Sequence, residues 1–363
     1  MEFKCYYMTS RRDFLASLSV LTGASLVGWP QGVRAQPSAD FLHGFVDRLR
    51  PVGRALELEG WYVWCNSPIE GPDGKTHVFF SRWREEKGMG GWLNGCEIAR
   101  AVADSPEGPF TYVETVLSPR PGAWDATTCH NPHIRQIGDQ YCLLYMGNAN
   151  GKTNTKRVGM ALASSLEGPW RRPDQPLLDA GPTGAWDDHC TTNPSLIQHP
   201  NGQYWLYYKS WNTADYENEQ GRIRGNRKYG VAVADRLEGP YTRYEGNPVV
   251  DFSGRGNNTQ LEDAFVWRQG KTWYMLARDM GYFNHEVGIL MESADGLHWS
   301  APVVAFRPLS TYVQEPPAPP HLHRYGRVER PQLLFRNGKP AYLFTAAQGG
   351  KYRTASSFIF RLA

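Results

Sequence analysis

The fold is decided by a segment that recurs along the chain, first as Ile98-Ala99-Arg100-Ala101-Val102-Ala103-Asp104-Ser105-Pro106-Glu107-Gly108-Pro109-Phe110. Small apolar and polar residues alternate in it, which is typical of a half-buried strand, and the chain then turns at Glu-Gly-Pro. The pattern returns at residues 158–170 and 229–241, and a weaker copy occupies residues 287–299. Copies spaced roughly 60 to 70 residues apart predict a repeated β unit with long loops.

A hairpin of one type accompanies these copies. Its first strand starts with polar residues, often followed by proline, at residues 63–69, 129–134, 192–197, 262–266 and 329–334. A turn containing glycine and a strand rich in aromatic residues follow each of them. Because proline at the first residue of a strand needs no ladder donor, we interpret these prolines as strand starts. The pattern predicts an all-β, five-bladed β-propeller with about four antiparallel strands per blade.

The composition agrees with this class of fold. The 363 residues include 13 Trp, 19 Tyr, 37 Gly and 26 Pro, which favours many short strands separated by turns. A net charge of +3 without a long basic run gives no indication of a nucleic-acid partner. No cysteine pair has the spacing of a metal or redox motif, so we expect buried free thiols with at most one or two disulfides, and no zinc site. These cysteines are Cys65, Cys96, Cys129, Cys142 and Cys190.

The N-terminus has the form of a twin-arginine export signal. Ser10-Arg11-Arg12-Asp13-Phe14-Leu15 precedes an apolar stretch, and Val33-Arg34-Ala35 has the small-x-small form of a cleavage site. We expect residues 1–35 to be removed on export to the periplasm or the exterior. An arm at 36–60 and a single propeller domain at 61–363 remain, and residues 41–61 are expected to close the ring. No other stretch is apolar enough to span a membrane, so no membrane contact is expected after cleavage.

The five hairpins, the Glu-Gly-Pro turns and Glu262-Asp263 resemble the five-bladed β-propeller glycoside hydrolases of families 43, 32 and 117. The resemblance covers nearly all of the chain after the signal. It implies a secreted, exo-acting glycoside hydrolase that acts on a plant, algal or microbial polysaccharide or oligosaccharide by carboxylate-based acid/base catalysis. Such an enzyme has a carbohydrate as its partner and requires no cofactor. A structural ion at the centre of the ring and the oligomeric state stay open.

Family 43 enzymes carry a base Asp in the first blade, an Asp that tunes the acid in the third and an acid Glu in the fourth. Glu262 matches the acid position. The first blade instead has Asn66 and Ser67, and the third has Thr192 and Asn193, so two of the three carboxylates are missing from the expected places.

Family 117 enzymes are similar in another respect, because a histidine acid precedes a glutamate of their last blade by a few residues. His321 and His323 stand in that relation to Glu329.

Cleavage of a glycosidic bond takes one group that protonates the leaving oxygen and a second that activates water or attacks the sugar. The hypothesis is Glu262 or His321 as general acid, and Asp263, Glu329 or Asp188 as base. Clustered carboxylates raise one another's pKa, which keeps one of them protonated.

The polar strand starts are expected to converge at one end of the channel and bind the sugar. Arg330 can hold a carboxylate or an acidic sugar through two hydrogen bonds. His130 and His189 are interpreted as substrate contacts or as ligands of a central ion. The other candidates are Asn66, Asn131, Asn193 and, for stacking on sugar rings, Trp64, Trp124, Trp186 and Trp211.

Two other functions are compatible with the same scaffold. A polysaccharide lyase would use a His or Tyr base, with Arg330 on a uronic acid. A carbohydrate-binding propeller without catalysis would explain the missing carboxylate of the first blade.

Overall fold

The computed structural model describes residues 39–218, 226–256 and 258–363, and the predicted export signal lies outside them. In these ranges no helix is long and apolar enough to cross a membrane. The α-helices are α1 (Ala39–Gly44) and α2 (Thr213–Glu217), and the 3-10 helices are Val46–Arg48, Glu85–Leu93, Thr153–Thr155, Ser253–Arg255 and Leu309–Thr311. The strands are β1 (Leu49–Arg54), β2 (Trp61–Glu70), β3 (Thr76–Arg84), β4 (Glu97–Ala103), β5 (Thr111–Leu117), β6 (Thr128–Ile137), β7 (Gln140–Asn148), β8 (Arg157–Ala163), β9 (Thr192–Gln198), β10 (Tyr204–Ser210), β11 (Lys228–Ala234), β12 (Thr242–Arg243), β13 (Gln260–Gln269), β14 (Thr272–Met280), β15 (Gly288–Ser293), β16 (Val303–Phe306), β17 (Glu329–Arg336), β18 (Lys339–Gly349), β19 (Thr354–Ser356) and β20 (Phe358–Leu362).

The strands form five antiparallel sheets that follow one another along the chain. The first is β2 to β5, the second β6 to β8, the third β9 to β12 and the fourth β13 to β16. The fifth combines β17, β18 and β20 with β1, and β19 pairs with β18 beside it. The prediction of an all-β, five-bladed propeller is confirmed. Its last sheet joins both ends of the propeller, because β1 pairs with β20 in the segment that was expected to close the ring.

The first strands of the sheets surround the axis. Each of β2, β6, β9, β13 and β17 contacts the first strands of two neighbouring sheets, which closes the ring. Each also has a β-bulge, where the pairing with the next strand shifts. One bulge residue per strand adopts left-handed φ, between 50° and 63°. Bulges redirect side chains, so every blade presents one residue at the same level. These residues are Cys65, Asn131, Asn193, Asp263 and Arg330.

The interpretation of the prolines as strand starts is wrong. Pro132, Pro194 and Pro331 directly follow the bulge residues, inside strands that begin earlier. Proline is tolerated there because the bulge interrupts the ladder. The pairing of β2 with β3 places Cys65 at the bulge position of the first blade. The sequence had suggested Asn66 and Ser67 for that position.

A repeated Trp-Asp pair fastens the loops of the second and third blades. Asp125 accepts a hydrogen bond from the Tyr145 hydroxyl at 2.8 Å, and Asp187 accepts one from Tyr208 at 2.8 Å. The tryptophan before each aspartate stacks on the same tyrosine, with ring centroids 5.6 Å apart. Glycine leaves room for the indole, since a Cβ at Gly159 would lie 2.4 Å from Trp124.

We expect Asp125→Ala to lower the free energy of unfolding by about 3–5 kcal/mol, measured by urea denaturation at pH 7. Asp125 is fully buried, and its carboxylate lies 2.9 Å from Nε of Arg120 and 3.2 Å from Nη1 of Arg172. Its removal leaves both guanidinium groups and the Tyr145 hydroxyl without their acceptor. Asp139→Ala, in the exposed turn between β6 and β7, is the control and should change stability by less than about 0.5 kcal/mol. Equal stability of the two variants would contradict the stabilising role of the buried Asp125 carboxylate.

The expectation of buried free thiols is confirmed for the cysteines that the structure describes. They lie on inner strands, on the strands beside them or in the loops that lead into them, and none is paired in a disulfide.

Candidate active site

One end of the propeller axis contains a cavity of about 260 Å³, close to the lower limit of roughly 300 Å³ for small-molecule sites. It brings together many of the residues that the sequence predicted for the site, namely Glu262, Asp263, Glu329, His130, Asn131, Asn193, Arg330, Trp64 and Trp211. It also contains cationic residues that the sequence reasoning missed, namely Lys156, Lys209, Arg227, Arg278 and Arg324.

The bulge residues form a hydrogen-bonded chain around the axis at the base of this cavity. Arg330 donates from Nε to Sγ of Cys65 at 3.3 Å and from Nη1 to Oδ1 of Asp263 at 2.9 Å. Asn193 donates to the same Asp263 oxygen at 2.5 Å, and Asn131 donates to Oδ1 of Asn193 at 3.0 Å. All five side chains are buried. The chain therefore links the second, third, fourth, fifth and first blades in that order through polar contacts.

This network defines the roles of Arg330 and Asp263. Burial disfavours the charged guanidinium, but the Cys65 sulfur and the Asp263 carboxylate raise the pKa of Arg330 above its usual value. Asp263, which was predicted as a base, has its carboxylate bound by Arg330 and Asn193 at the base of the cavity. Arg330 holds this carboxylate through its backbone N–H at 3.2 Å and Nη1 at 2.9 Å, so its partner among the described residues is a carboxylate, one of the two kinds of partner that the sequence predicted.

Glu262 lies among three cations. Its Oε1 is 2.9 Å from Nζ of Lys209 and 2.6 Å from Nε of Arg227, and its Oε2 is 3.0 Å from Nη1 of Arg278. Burial alone would raise its pKa, but these cations hold the pKa of Glu262 well below its usual range. Glu262 is therefore ionised near neutral pH. A general acid must carry a proton, so the predicted acid role does not fit this environment.

Glu329 has the opposite environment. Its Oε2 lies 3.2 Å from Nη1 of Arg278, while Oε1 is buried, 3.9 Å from Nη1 of Arg324, and forms no hydrogen bond with the residues described. Burial raises the pKa of Glu329. The charge of Arg278 lowers this pKa and that of Asp263 raises it, and the net shift is upward. Of the two glutamates, Glu329, which was predicted as a base, is therefore the one that keeps a proton to higher pH.

Arg278 joins the two glutamates. One of its nitrogens contacts both, so the nearest carboxylate oxygens are no more than about 6 Å apart, near the ~5–9.5 Å between carboxyl groups in glycosidases. A carboxyl group with a raised pKa and one with a lowered pKa, at about this separation, have the properties of the acid and the ionised partner that glycoside cleavage needs.

The strand register places the missed cations. Arg278 on β14 is directly opposite Glu262, and Lys209 on β10 is opposite Thr192. Each of these cations follows a run of apolar and aromatic residues and lies one or two positions before the end of its strand. A cation at that position of a buried strand is the sequence signal that could have identified them.

The two predicted histidines have different positions. His130 lines the cavity, with Nδ1 3.3 Å from Sγ of Cys96, and burial together with Arg330 lowers its pKa well below the usual value. His189 lies behind Trp211, with which it stacks at a centroid distance of 5.3 Å. Burial and Lys156 lower the pKa of His189 to about 4.

No group of three or more His, Cys, Asp or Glu residues suited to hold a metal ion is found among the described residues. His130 and His189 are thus not part of such a group.

Two predicted catalytic residues lie outside the cavity. Asp188 caps a loop, where its carboxylate accepts hydrogen bonds from the backbone N–H groups of Gly184 at 2.8 Å and Thr213 at 2.7 Å. His321 is exposed, and its Nε2 lies 3.1 Å from the carbonyl oxygen of Arg353. Its loop does reach the cavity, but through Arg324.

Three predicted substrate contacts are also displaced. Asn66 is buried in the bulge of β2, on the side away from the cavity lining. Trp124 and Trp186 belong to the Trp-Asp pairs that fasten the blade loops, so they do not stack on a sugar in this cavity.

The fold and the axial cavity define a five-bladed β-propeller of the class found in glycoside hydrolases, and the predicted resemblance is confirmed for the fold. One similar structure is Zg3597, a family 117 glycoside hydrolase produced by the marine bacterium Zobellia galactanivorans, with 17% identity and a TM-score of 0.61 over 86% of this chain and 91% of that one. The structure of a BT0996 RGII complex has 15% identity and a TM-score of 0.64 over 85% and 90%.

A third similar structure is CoXyl43, a family 43 β-xylosidase/α-arabinofuranosidase from a compost microbial metagenome, in complex with xylotriose. It has 13% identity and a TM-score of 0.56 over 87% and 94%. No family model and no curated protein sequence matches the chain.

Proposed function

We propose that the protein is an exo-acting glycoside hydrolase in which Glu329 is the general acid and Glu262 is the ionised carboxylate that faces the reacting sugar. The observation that carries this proposal is the pair of glutamates that share Arg278 in a small cavity, a buried Glu329 with a raised pKa and a partly buried Glu262 with a lowered pKa. The named activities of Zg3597 and CoXyl43, on the same fold, support it.

The mechanism follows from the two environments. Glu329 donates its proton to the leaving oxygen as the glycosidic bond breaks. Glu262 stabilises the positive charge that develops on the sugar ring in the oxocarbenium-like transition state and attacks the anomeric carbon, which forms a glycosyl-enzyme as the leaving group departs with the proton of Glu329. Glu329, now ionised, then takes a proton from the water that attacks the anomeric carbon, and this step releases the sugar and frees Glu262. Arg278, in contact with both, holds the carboxyl groups in place. A cavity near the lower size limit of ligand sites fits one terminal sugar unit, which supports removal of single units from a chain end.

The test is product analysis after incubation of the purified protein with a panel of polysaccharides, oligosaccharides and aryl glycosides. Hydrolysis of a polysaccharide or oligosaccharide releases single saturated sugars with a new reducing end, which do not absorb in the ultraviolet as an unsaturated sugar does. An unsaturated product that absorbs in the ultraviolet would establish a lyase instead. Binding without products would establish a carbohydrate-binding propeller.

The pH dependence follows from the same pair. Glu329 must be protonated to donate, and because its pKa is raised, that form persists above the reference value of 4.5 and is lost as the pH rises through the folded-state pKa. Glu262 remains ionised well below pH 4.5. We expect kcat to fall on the alkaline side of a pH profile through Glu329 alone, and this limb should disappear in Glu329→Gln. An unchanged alkaline limb in the variant contradicts the assignment.

We further propose that the protein is exported by the twin-arginine route to the periplasm or the exterior, on the evidence of Arg11, Arg12 and the sequence that follows them. The test is cell fractionation with sequencing of the mature N-terminus, which is expected to begin at residue 36. A cytoplasmic protein that retains residues 1–35 contradicts this proposal.

A further inference from the structure

The cavity carries more positive than negative charge. Its lining contains six cationic side chains, those of Lys156, Lys209, Arg227, Arg278, Arg324 and Arg330, against the three carboxyl groups of Glu262, Asp263 and Glu329. His130 adds no charge, because burial keeps its pKa well below the usual value. A concave site lined by an excess of one sign attracts ligands of the opposite sign.

Most of these cations already have a carboxylate partner. Arg330 pairs with Asp263, Arg278 contacts both glutamates, and Lys209 and Arg227 pair with Glu262. Arg324 is 54% exposed and lies 3.9 Å from Glu329. Among the described residues, Lys156 is the cation of this lining that has no carboxylate within ion-pair distance.

Lys156 is a buried ammonium group that makes no ion pair with a residue in the described ranges. The residue is only 4% exposed and lines the cavity just before β8. Its Nζ lies 4.3 Å from the centre of the Trp211 ring and 5.6 Å from that of Trp92. Cation–π contacts hold the charge in place, but they do not replace an anion for a desolvated ammonium group.

We propose that the cavity binds a sugar with an anionic substituent, a carboxylate or a sulfate, and that Lys156 is the counter-ion of that substituent. The inference deepens the proposed function, on which it rests for the reaction that the sugar undergoes. The carboxylate would come from a uronic acid and the sulfate from a sulfated sugar. In both, the anion supplies the counter-charge that the described residues do not provide at Lys156.

Calorimetric titration tests the proposal with galacturonic acid, glucuronic acid and galactose 6-sulfate, each beside its neutral counterpart galactose or glucose. The wild-type protein should bind at least one acidic sugar about tenfold or more tightly than the neutral one. The acidic sugar that shows the preference identifies the carboxylate or the sulfate as the substituent. Equal binding of acidic and neutral sugars overturns the proposal.

Lys156→Met should remove this preference while it changes the binding of the neutral sugar less than about twofold, and Lys156→Arg should retain it. Lys152→Met is the matched control, because Lys152 is exposed in the loop that leads to Lys156. A preference that survives in Lys156→Met, or that is lost equally in Lys152→Met, overturns the proposal.

The wild-type protein offers a second measurement that does not depend on the folding of a variant. The pKa of Lys156 is lowered to about 8. Burial is the largest cause, the charges of Lys209 and Arg227 lower the pKa further, and Cys190 and Glu262 oppose them. The preference for the acidic sugar should therefore decline as the pH rises through about 8. Of the other groups that face Lys156, His130 and His189 titrate at lower pH, the pKa of Cys190 is raised by burial, and Lys209 and Arg227 are paired with Glu262.

The failure of this inference differs from failure of the proposed function. Selective binding of acidic sugars without any cleavage supports the counter-ion and contradicts the hydrolase. Cleavage of neutral glycosides without discrimination supports the hydrolase and contradicts the counter-ion.

Discussion

Replacement of Glu329 by glutamine is expected to lower kcat by about 10²–10⁴-fold on a natural glycoside. Glutamine has nearly the same shape and can still lie beside Arg278, but it cannot transfer a proton to the leaving oxygen. Because burial raises the pKa of Glu329, the proposed mechanism makes this side chain the proton donor of the pair. Initial rates on the best substrate of the panel give the comparison.

The leaving group provides the decisive control. An aryl glycoside with an acidic phenol needs little protonation, so the loss in Glu329→Gln should be much smaller on that substrate than on a sugar leaving group. Glu286→Gln is the matched variant, because Glu286 is on the surface, where it pairs with Arg327. It should retain activity within about twofold. An equal loss on good and poor leaving groups would show that Glu329 is not the acid.

The fold could be predicted because its signals are local. Turn residues and alternating strands recur in every blade and need no knowledge of the partner strand. The position of each side chain at the axis depends instead on a bulge, and a shift of one residue turns a side chain to the other face. In the first blade no proline follows the bulge residue, so Asn66 was chosen where the structure has Cys65.

The charges of the site could be predicted only in part. The sequence indicated that Glu262 and Glu329 meet, because both stand at the predicted start of the first strand of a blade. It did not show that Lys209, 53 residues before Glu262, is its nearest ammonium partner. Without these partners the sequence reasoning placed the proton on Glu262, whereas the proposed mechanism places it on Glu329. The role of the Trp-Asp pairs could not be predicted either, because both lie a few residues before the first strand of a blade, where site residues were expected. Only the stacking of the tryptophans on Tyr145 and Tyr208 shows that the pairs fasten loops.

Replacement of Glu262 by glutamine is expected to reduce both activity and stability. The ionised carboxylate stabilises the transition state, so kcat should fall by at least about a thousandfold, on good and poor leaving groups alike. The free energy of unfolding at pH 7 should fall by about 3–5 kcal/mol, because Lys209, Arg227 and Arg278 lose their buried counter-charge. Enzyme kinetics and urea denaturation measure the two effects.

The sign of the pH effect separates this ion cluster from simple packing. The folded-state pKa of Glu262 is lowered, so its contribution is present above the reference value of 4.5 and is lost as the pH falls through the folded-state pKa. The difference in stability between wild type and Glu262→Gln should therefore shrink at acid pH. A second change, Lys209→Met, should restore part of the lost stability, since it removes one unpaired cation, but it should not restore activity. A variant as stable as the wild type at pH 7, or a double variant that recovers activity along with stability, would contradict the role assigned to Glu262.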